Sequence, residues 1–161
     1  KRLKAMTSSA GRYWALRLCP GDDLKESLLS FVAKHGLRAA AVVSCVGSLS
    51  KASLRLANAD RANPNPVRSF EKRLEITSLV GTLGCEGPKG HLHLSVADEE
   101  GSAFGGHVLG GCEVFTTAEI VLVELVDLVF KRTYDDATGF EELKVLPREA
   151  ETAGYSPPGQ T

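Results

Sequence analysis

The chain has 161 residues, about one domain at the usual domain size. Its 43% hydrophobic and 24% charged content is that of a globular protein and excludes a disordered or fibrous body. A formal net charge of −1 withholds the broad positive field that nucleic-acid binders use to release counterions, so DNA is not expected as the main partner. The longest apolar run is interrupted by Glu119, Glu124 and Asp127, short of the roughly 18 residues a membrane helix needs.

The basic start at Lys1, Arg2 and Lys4 lacks the apolar stretch of a secretory signal, and no Met precedes it, so residues 1–10 are expected to be a flexible, trimmed segment. A cytoplasmic location follows, with the nucleus as the alternative. The four cysteines, Cys19, Cys45, Cys85 and Cys112, form no C-x-x-C pair and are read as reduced, buried apolar residues.

Residues 12–18 alternate well enough for a strand, and Pro20-Gly21 ends it. A long helix is expected over 23–35. Asp22 or Asp23 can cap it, Glu26 stands in capping-box spacing, Leu24, Leu28, Phe31 and Val32 form its apolar stripe, and Gly36 stops it. Residues 37–47 read as a strand buried on both faces, and 51–58 as a second strand returning after a Gly47-Ser48 turn. The stretch 59–67, with two prolines and two asparagines, reads as a mobile loop. Strands are expected over 70–83, 90–97, 103–109 and 114–131.

Both alternating sets of that last strand are apolar. One helix can cover one face only, so a second layer of strands or a neighbouring subunit is expected on the other. The class is therefore α/β of the α+β type with a mainly antiparallel sheet. The body spans 11–147, and the tail 148–161 is expected to be disordered.

Three of the four histidines, His91, His93 and His107, fall within seventeen residues. Residues two apart in a strand share a face, so His91 and His93 project one way while Leu92, Leu94 and Val96 pack the other way. Asp98-Glu99-Glu100-Gly101 predicts a type I turn with a G1 bulge. Paired positions then sum to 200, which sets His93 opposite His107 and residue 91 opposite residue 109, with His91 a diagonal neighbour of His107 within about 8 Å.

Three converging imidazoles with an open fourth position suit zinc, with nickel, cobalt or iron as alternatives. The competing reading, surface histidines of a hairpin, is disfavoured by three falling on one face. Gly105 and Gly106 beside His107 leave backbone room for a ligand or relieve packing. His35, at the helix end, reads as a charge partner of the helix terminus. Glu119 and Glu124 are candidate catalytic carboxylates. The stronger alternative for them and for Asp127 is an ion pair with Arg17, Arg38, Arg55 or Arg132. Lys72-Arg73 and Lys131-Arg132 read as solvated charges.

With these residues in hand, the chain resembles the plant- and prokaryote-conserved (PPC) domain in its stand-alone form over about 13–146. The resemblance is carried by Gly21-Asp22-Asp23-Leu24, SCVGSL at 44–49 with Leu54-Arg55, LEITSLVG at 74–81, GHLHLSVAD at 90–98, Gly105-Gly106-His107, Lys131-Arg132 and Thr138-Gly139-Phe140. It implies a homotrimer, and a zinc ion on His91, His93 and His107. Fold and site also resemble acetolactate decarboxylase and a zinc-dependent ester hydrolase. The function this implies is binding or processing of a small carboxylate or carbonyl compound, with a zinc-dependent lyase or hydrolase step if there is turnover. Plant members with AT-hooks suggest the alternative, a DNA-associated regulatory module, although no AT-hook occurs here.

Overall fold

Asp23 starts the single helix among the described residues, α1 (Leu24–His35), by accepting hydrogen bonds at Oδ1 from the backbone N–H groups of Lys25 and Glu26, each at 2.9 Å. Its other oxygen accepts from Gly111 and Cys112, so one carboxylate ties the helix start to a distant loop. The helix ends at Gly36, where the Leu37 N–H reaches the Val32 carbonyl. It is a short helix of 12 residues rather than a long one, because the Gly36 cap stops the stripe Leu24, Leu28, Leu29 and Val32 after three turns. The computed structural model describes residues 7–57, 67–84 and 89–148. The expectations for 1–6, 59–66, Cys85 and 149–161 lie outside the described residues.

Among the described residues nine strands make an α+β fold in which every pairing is antiparallel: β1 (Gly11–Leu18), β2 (Ala40–Arg55), β3 (Val67–Phe70), β4 (Leu74–Gly84), β5 (Lys89–Ala97), β6 (Ala103–Val108), β7 (Glu113–Leu125), β8 (Leu128–Asp135) and β9 (Phe140–Pro147). The main sheet runs β1-β7-β2-β4-β5-β6, with β3 on β2. Strand β6 also pairs with the far end of β2, so β2, β4, β5 and β6 close on one another. The core lies between the helix and one sheet face, where Leu24, Leu28, Leu83, Leu92, Leu122 and Ile120 are each at most 1% exposed.

Three sequence expectations are corrected. No turn interrupts β2 at Gly47-Ser48: Gly47 has φ +138 and lies so close to β7 that a Cβ there would strike the Thr117 carbonyl, so this glycine serves a strand contact. The run 114–131 is not one strand. It breaks at Val126-Asp127, where Asp127 accepts from Ser9 Oγ and the Ala10 N–H, and the chain leaves the main sheet for the β8–β9 hairpin. The stretch 70–83 is likewise two strands, β3 ending at Phe70 and β4 starting at Leu74.

The hairpin is seated on the body by Leu128 and Phe130 against Ala39, so it supplies part of the expected second layer. Among the described residues the rest of that face stays exposed. Tyr13, Val46 and Val80, which sit across from Val123, Glu119 and His93 on neighbouring strands, are 53–68% exposed, as is Val43 beside them.

Two cysteines are buried as expected, and Cys19 is exposed. Burial pushes the Cys45 thiol up to about 11 and raises that of Cys112, whose Sγ also accepts from the Ser53 N–H. Iodoacetamide at pH 7.5 should therefore label Cys19 in the folded protein and Cys45 and Cys112 only after unfolding. Peptide mass spectrometry reads this, and prompt labelling of Cys45 would contradict its burial.

Candidate metal centre

The β5–β6 turn fixes the site. Asp98 accepts at Oδ1 from the N–H groups of Glu100 and Ser102, its backbone N–H donates to the Ser102 carbonyl, and Gly101 takes φ +77. This is the expected turn with its bulge. Lys72 holds the second Asp98 oxygen at 2.7 Å. This pairing holds the Asp98 carboxyl below, and the Lys72 ammonium above, its ordinary pKa.

The register runs unbroken from Ala97↔Ala103 to His93↔His107, the predicted pairing. It stops there. Leu109 donates its N–H to the Ser53 carbonyl on β2, so the expected pairing of residue 91 with residue 109 does not form, and His91 pairs only on its other side, with Thr82 of β4.

His91, His93 and His107 converge. One ring nitrogen from each lies within 4.8 Å of the others, and Nε2 of His91 is 3.0 Å from Nε2 of His93. Ring centroids are 5.1, 5.1 and 5.5 Å apart, which puts His91 within the diagonal reach expected of it. Zinc bonds of about 2.0–2.1 Å place two nitrogens of one ion about 3.3 Å apart at a tetrahedral angle, so the spacing fits. The His107 Nδ1 is buried with no hydrogen-bond partner. An orphaned buried nitrogen costs about 1–3 kcal/mol, a cost that a cation resting on it removes. The donor set thus fits a metal.

Burial and nearby cations favour the neutral form of His107 and His91, the form that binds a metal. Burial, then the Arg55 guanidinium, and then the other two rings push His107 down to about 4. Burial, followed by Arg132 and His93, lowers His91. In the metal-free protein the unfolded chain protonates His107 from about pH 6.5 downward while the folded chain resists until about 4. Stability is therefore lost as pH falls through that window. Urea midpoints of metal-free protein should fall between pH 6.5 and 4, and by less in His107→Gln; equal falls would exclude His107 as a cause.

The triad opens into a cavity of about 610 Å³ that Gly105 and Gly106 also line. Both glycines serve strand approach as well: a Cβ on Gly105 would strike the Leu94 carbonyl, and one on Gly106 would lie 2.7 Å from the Arg55 carbonyl.

Glu119 and Glu124 are not brought to the histidines. Buried Glu124 aligns through Ala40 and Leu83 with Gly90, three strand spacings or about 14 Å from the triad. Arg12, an arginine outside the four expected, lies 3.6 Å from it. Glu119 is exposed opposite Val46, and Arg17 beside it donates to Thr117 Oγ1. Asp127 binds backbone and Ser9 rather than an arginine. His35 sits in the last helical turn and stacks on Trp14 and Phe31.

The carboxylates that do line the cavity are Glu141 and Glu142 of β9, with the cations Lys25, Arg55, Lys89 and Arg132. Sequence reasoning missed this set. Arg132, read as solvated, donates to Thr82 Oγ1 at 3.0 Å, and Lys89 grips Glu141 at 2.6 Å. Only the Lys131-Arg132 and Leu54-Arg55 motifs of the resemblance pointed toward them.

Among curated proteins, the chain is 44% identical over 149 residues to the bifunctional protein GlmU of Synechococcus sp. strain JA-2-3B'a(2-13), covering 92% of this chain and 22% of that protein. It is 30% identical over 112 residues to AT-hook motif nuclear-localized protein 13 of Arabidopsis thaliana, covering 66% of this chain and 25% of that protein. The chain thus spans about a quarter or less of the length of these relatives. Among solved structures, a metal-containing protein from Archaeoglobus fulgidus superposes with a TM-score of 0.76 at 26% identity, covering 88% of this chain and 99% of that one. The model of the Plants and Prokaryotes Conserved (PCC) domain matches residues 5–126, which include all three converging histidines, and the chain belongs to that family.

Proposed function

We propose that this protein is a homotrimeric zinc-binding domain whose three-histidine site takes a small carboxylate or carbonyl compound. The observation that carries the reading is the convergence of His91, His93 and His107, with a buried, unpartnered His107 Nδ1, at a cavity rich in basic side chains. The Archaeoglobus relative's description as metal-containing supports a metal, and zinc is the ion best matched to three imidazoles and no sulfur. Zinc there would supply a Lewis acid for an oxygen-bearing ligand, the chemistry of a lyase or hydrolase rather than of electron transfer. The chain's own part is orientation: Arg132 is steadied by Thr82 beside His91, while Arg55 stands across from His107. Lys89 engages Glu141, which leaves Glu142 to accept a proton from a bound ligand. No role in this chemistry is assigned to Glu119 or Glu124.

Elemental analysis of protein purified without a histidine tag, followed by calorimetry with acetate, tests the reading. About one zinc per chain is expected, with tighter acetate binding to the zinc form. Equal affinity for zinc and metal-free forms would make the metal structural. The trimer is proposed from the exposed valine and tyrosine face, which no described residue of the chain covers. Light scattering at micromolar concentration should give three chains per particle; a monomer would leave that face to another partner.

The Arabidopsis relative favours a second reading, a DNA-associated module in the nucleus. The net charge of −1 weighs against it. No helix among the described residues is long and apolar enough to cross a membrane. A salt-dependent mobility shift with duplex DNA would select the second reading.

A further inference from the structure

The charge of the cavity is unlike that of the chain. The whole sequence is nearly neutral, yet among the described residues four basic side chains line this one space against two acidic ones, and one of those acids, Glu141, is already held by Lys89. Three cations, Lys25, Arg55 and Arg132, then face Glu142 alone among the described lining residues.

Their placement follows from strand register. His107 of β6 is paired with His93 on one side and with Arg55 of β2 on the other, so His93, His107 and Arg55 form a row across three strands. Cross-strand partners have Cβ atoms about 4.5–5.5 Å apart, which sets the Arg55 stem one strand from the triad. Lys25, in the first turn of α1, joins Arg55 at the cavity wall. Arg132 stands on the opposite flank, fixed through Thr82, the partner of His91.

A single carboxylate anchored at the triad would leave the Arg55 and Lys25 side unused, in a cavity of about 610 Å³ sized for a whole small molecule. The guanidinium fork suits a second carboxylate or a phosphate oxygen pair. We infer that the cavity is built for an organic dianion, with one anionic group at the histidine triad and the other on Arg55 and Lys25. This rests on the proposed metal reading for its first anchor, while the second anchor belongs to the chain alone.

Calorimetry at fixed ionic strength separates the two anchors, using acetate, succinate and phosphonoacetate on zinc-loaded and on metal-free protein. With zinc loaded, the better dianion should bind at least about 10-fold more tightly than acetate. Arg55→Gln should bring it to within about threefold of acetate, with zinc content and circular dichroism unchanged. Lys25→Gln should weaken dianion binding in the same direction and serves as the readout should Arg55→Gln misfold. Succinate above phosphonoacetate identifies a dicarboxylate, and the reverse order a carboxylate paired with a phosphate-type group; either upholds the two-anchor site.

Equal affinities of acetate and both dianions in zinc-loaded protein, or a dianion preference untouched by both substitutions, would overturn the inference while leaving the metal reading intact. If the protein takes up no zinc, the metal reading fails by itself. The comparison is then made on the metal-free form: dianion binding lost in Arg55→Gln upholds the second anchor, and no dianion binding overturns it.

Discussion

His93→Ala and His107→Ala are each expected to strip zinc from the protein, and His35→Ala to leave it in place. His93 and His107 are direct cross-strand partners with ring centroids 5.5 Å apart, and both contribute a nitrogen to the cluster within 4.8 Å. Loss of groups that merely support a ligand costs about 10–100-fold in metal affinity, so loss of a ligand should exceed about 100-fold. His91→Ala belongs with them, since its Nε2 faces that of His93 at 3.0 Å. His35, stacked on Trp14 and Phe31 at the end of α1, shares no element with the hairpin and should lower stability slightly at most. Competition with a chromogenic chelator measures all four. Equal loss from the four would mean that the convergence of the three rings does not hold the ion.

The hairpin that carries this site could be read from the sequence because its register is decided locally. Asp98 and Gly101 determine the turn, the turn determines the pairing, and two-residue periodicity determines the faces. The helix could be read for the same reason, from Asp23 at one end and Gly36 at the other.

What escaped was decided at a distance. Val126-Asp127 carries no glycine or proline inside an apolar run, and the chain turns there because Asp127 meets Ser9 and Ala10 from the opposite end of the sequence. Gly47-Ser48 has turn composition but lies against Thr117, some seventy residues later. Strand β9 alternates weakly and is mostly exposed, so nothing local announced it, yet it brings Glu141 and Glu142 to the cavity. The cations Lys25, Arg55 and Arg132 come from α1, β2 and β8, and the sequence offers Arg55 and Arg132 only as ion-pair partners or solvated charges and gives Lys25 no role. They converge only because β6 returns to pair with β2, placing Arg55 next to His107.

The same dependence on strand approach makes Gly81→Ala the substitution expected to damage the protein most. Gly81 lies in β4 opposite Leu92, between the positions that pair with His91 and His93, and has φ +147. A Cβ there would strike the His91 carbonyl and crowd the Leu92 Cα at 2.8 Å, so the obstacle is backbone that no side-chain rotation relieves. The unfavourable φ alone costs about 1–3 kcal/mol, and opening the β4–β5 ladder adds to it. A total near 4 kcal/mol would take a large part of the about 5–15 kcal/mol that holds a domain folded, and lower Tm by roughly 10 °C.

Gly101→Ala is the matched control. Its φ of +77 is also positive, but a Cβ there meets nothing within 4 Å, so only the conformational cost of about 1 kcal/mol applies. Because the displaced carbonyl belongs to His91, Gly81→Ala should also lose zinc at temperatures where it remains folded, whereas Gly101→Ala should retain it. Differential scanning fluorimetry with zinc content measured on the same samples reads both effects. A Gly81→Ala protein with unchanged Tm would mean that β4 and β5 do not approach so closely, and one that is destabilised yet fully zinc-loaded would mean that the triad tolerates a shift of the strand carrying two of its histidines.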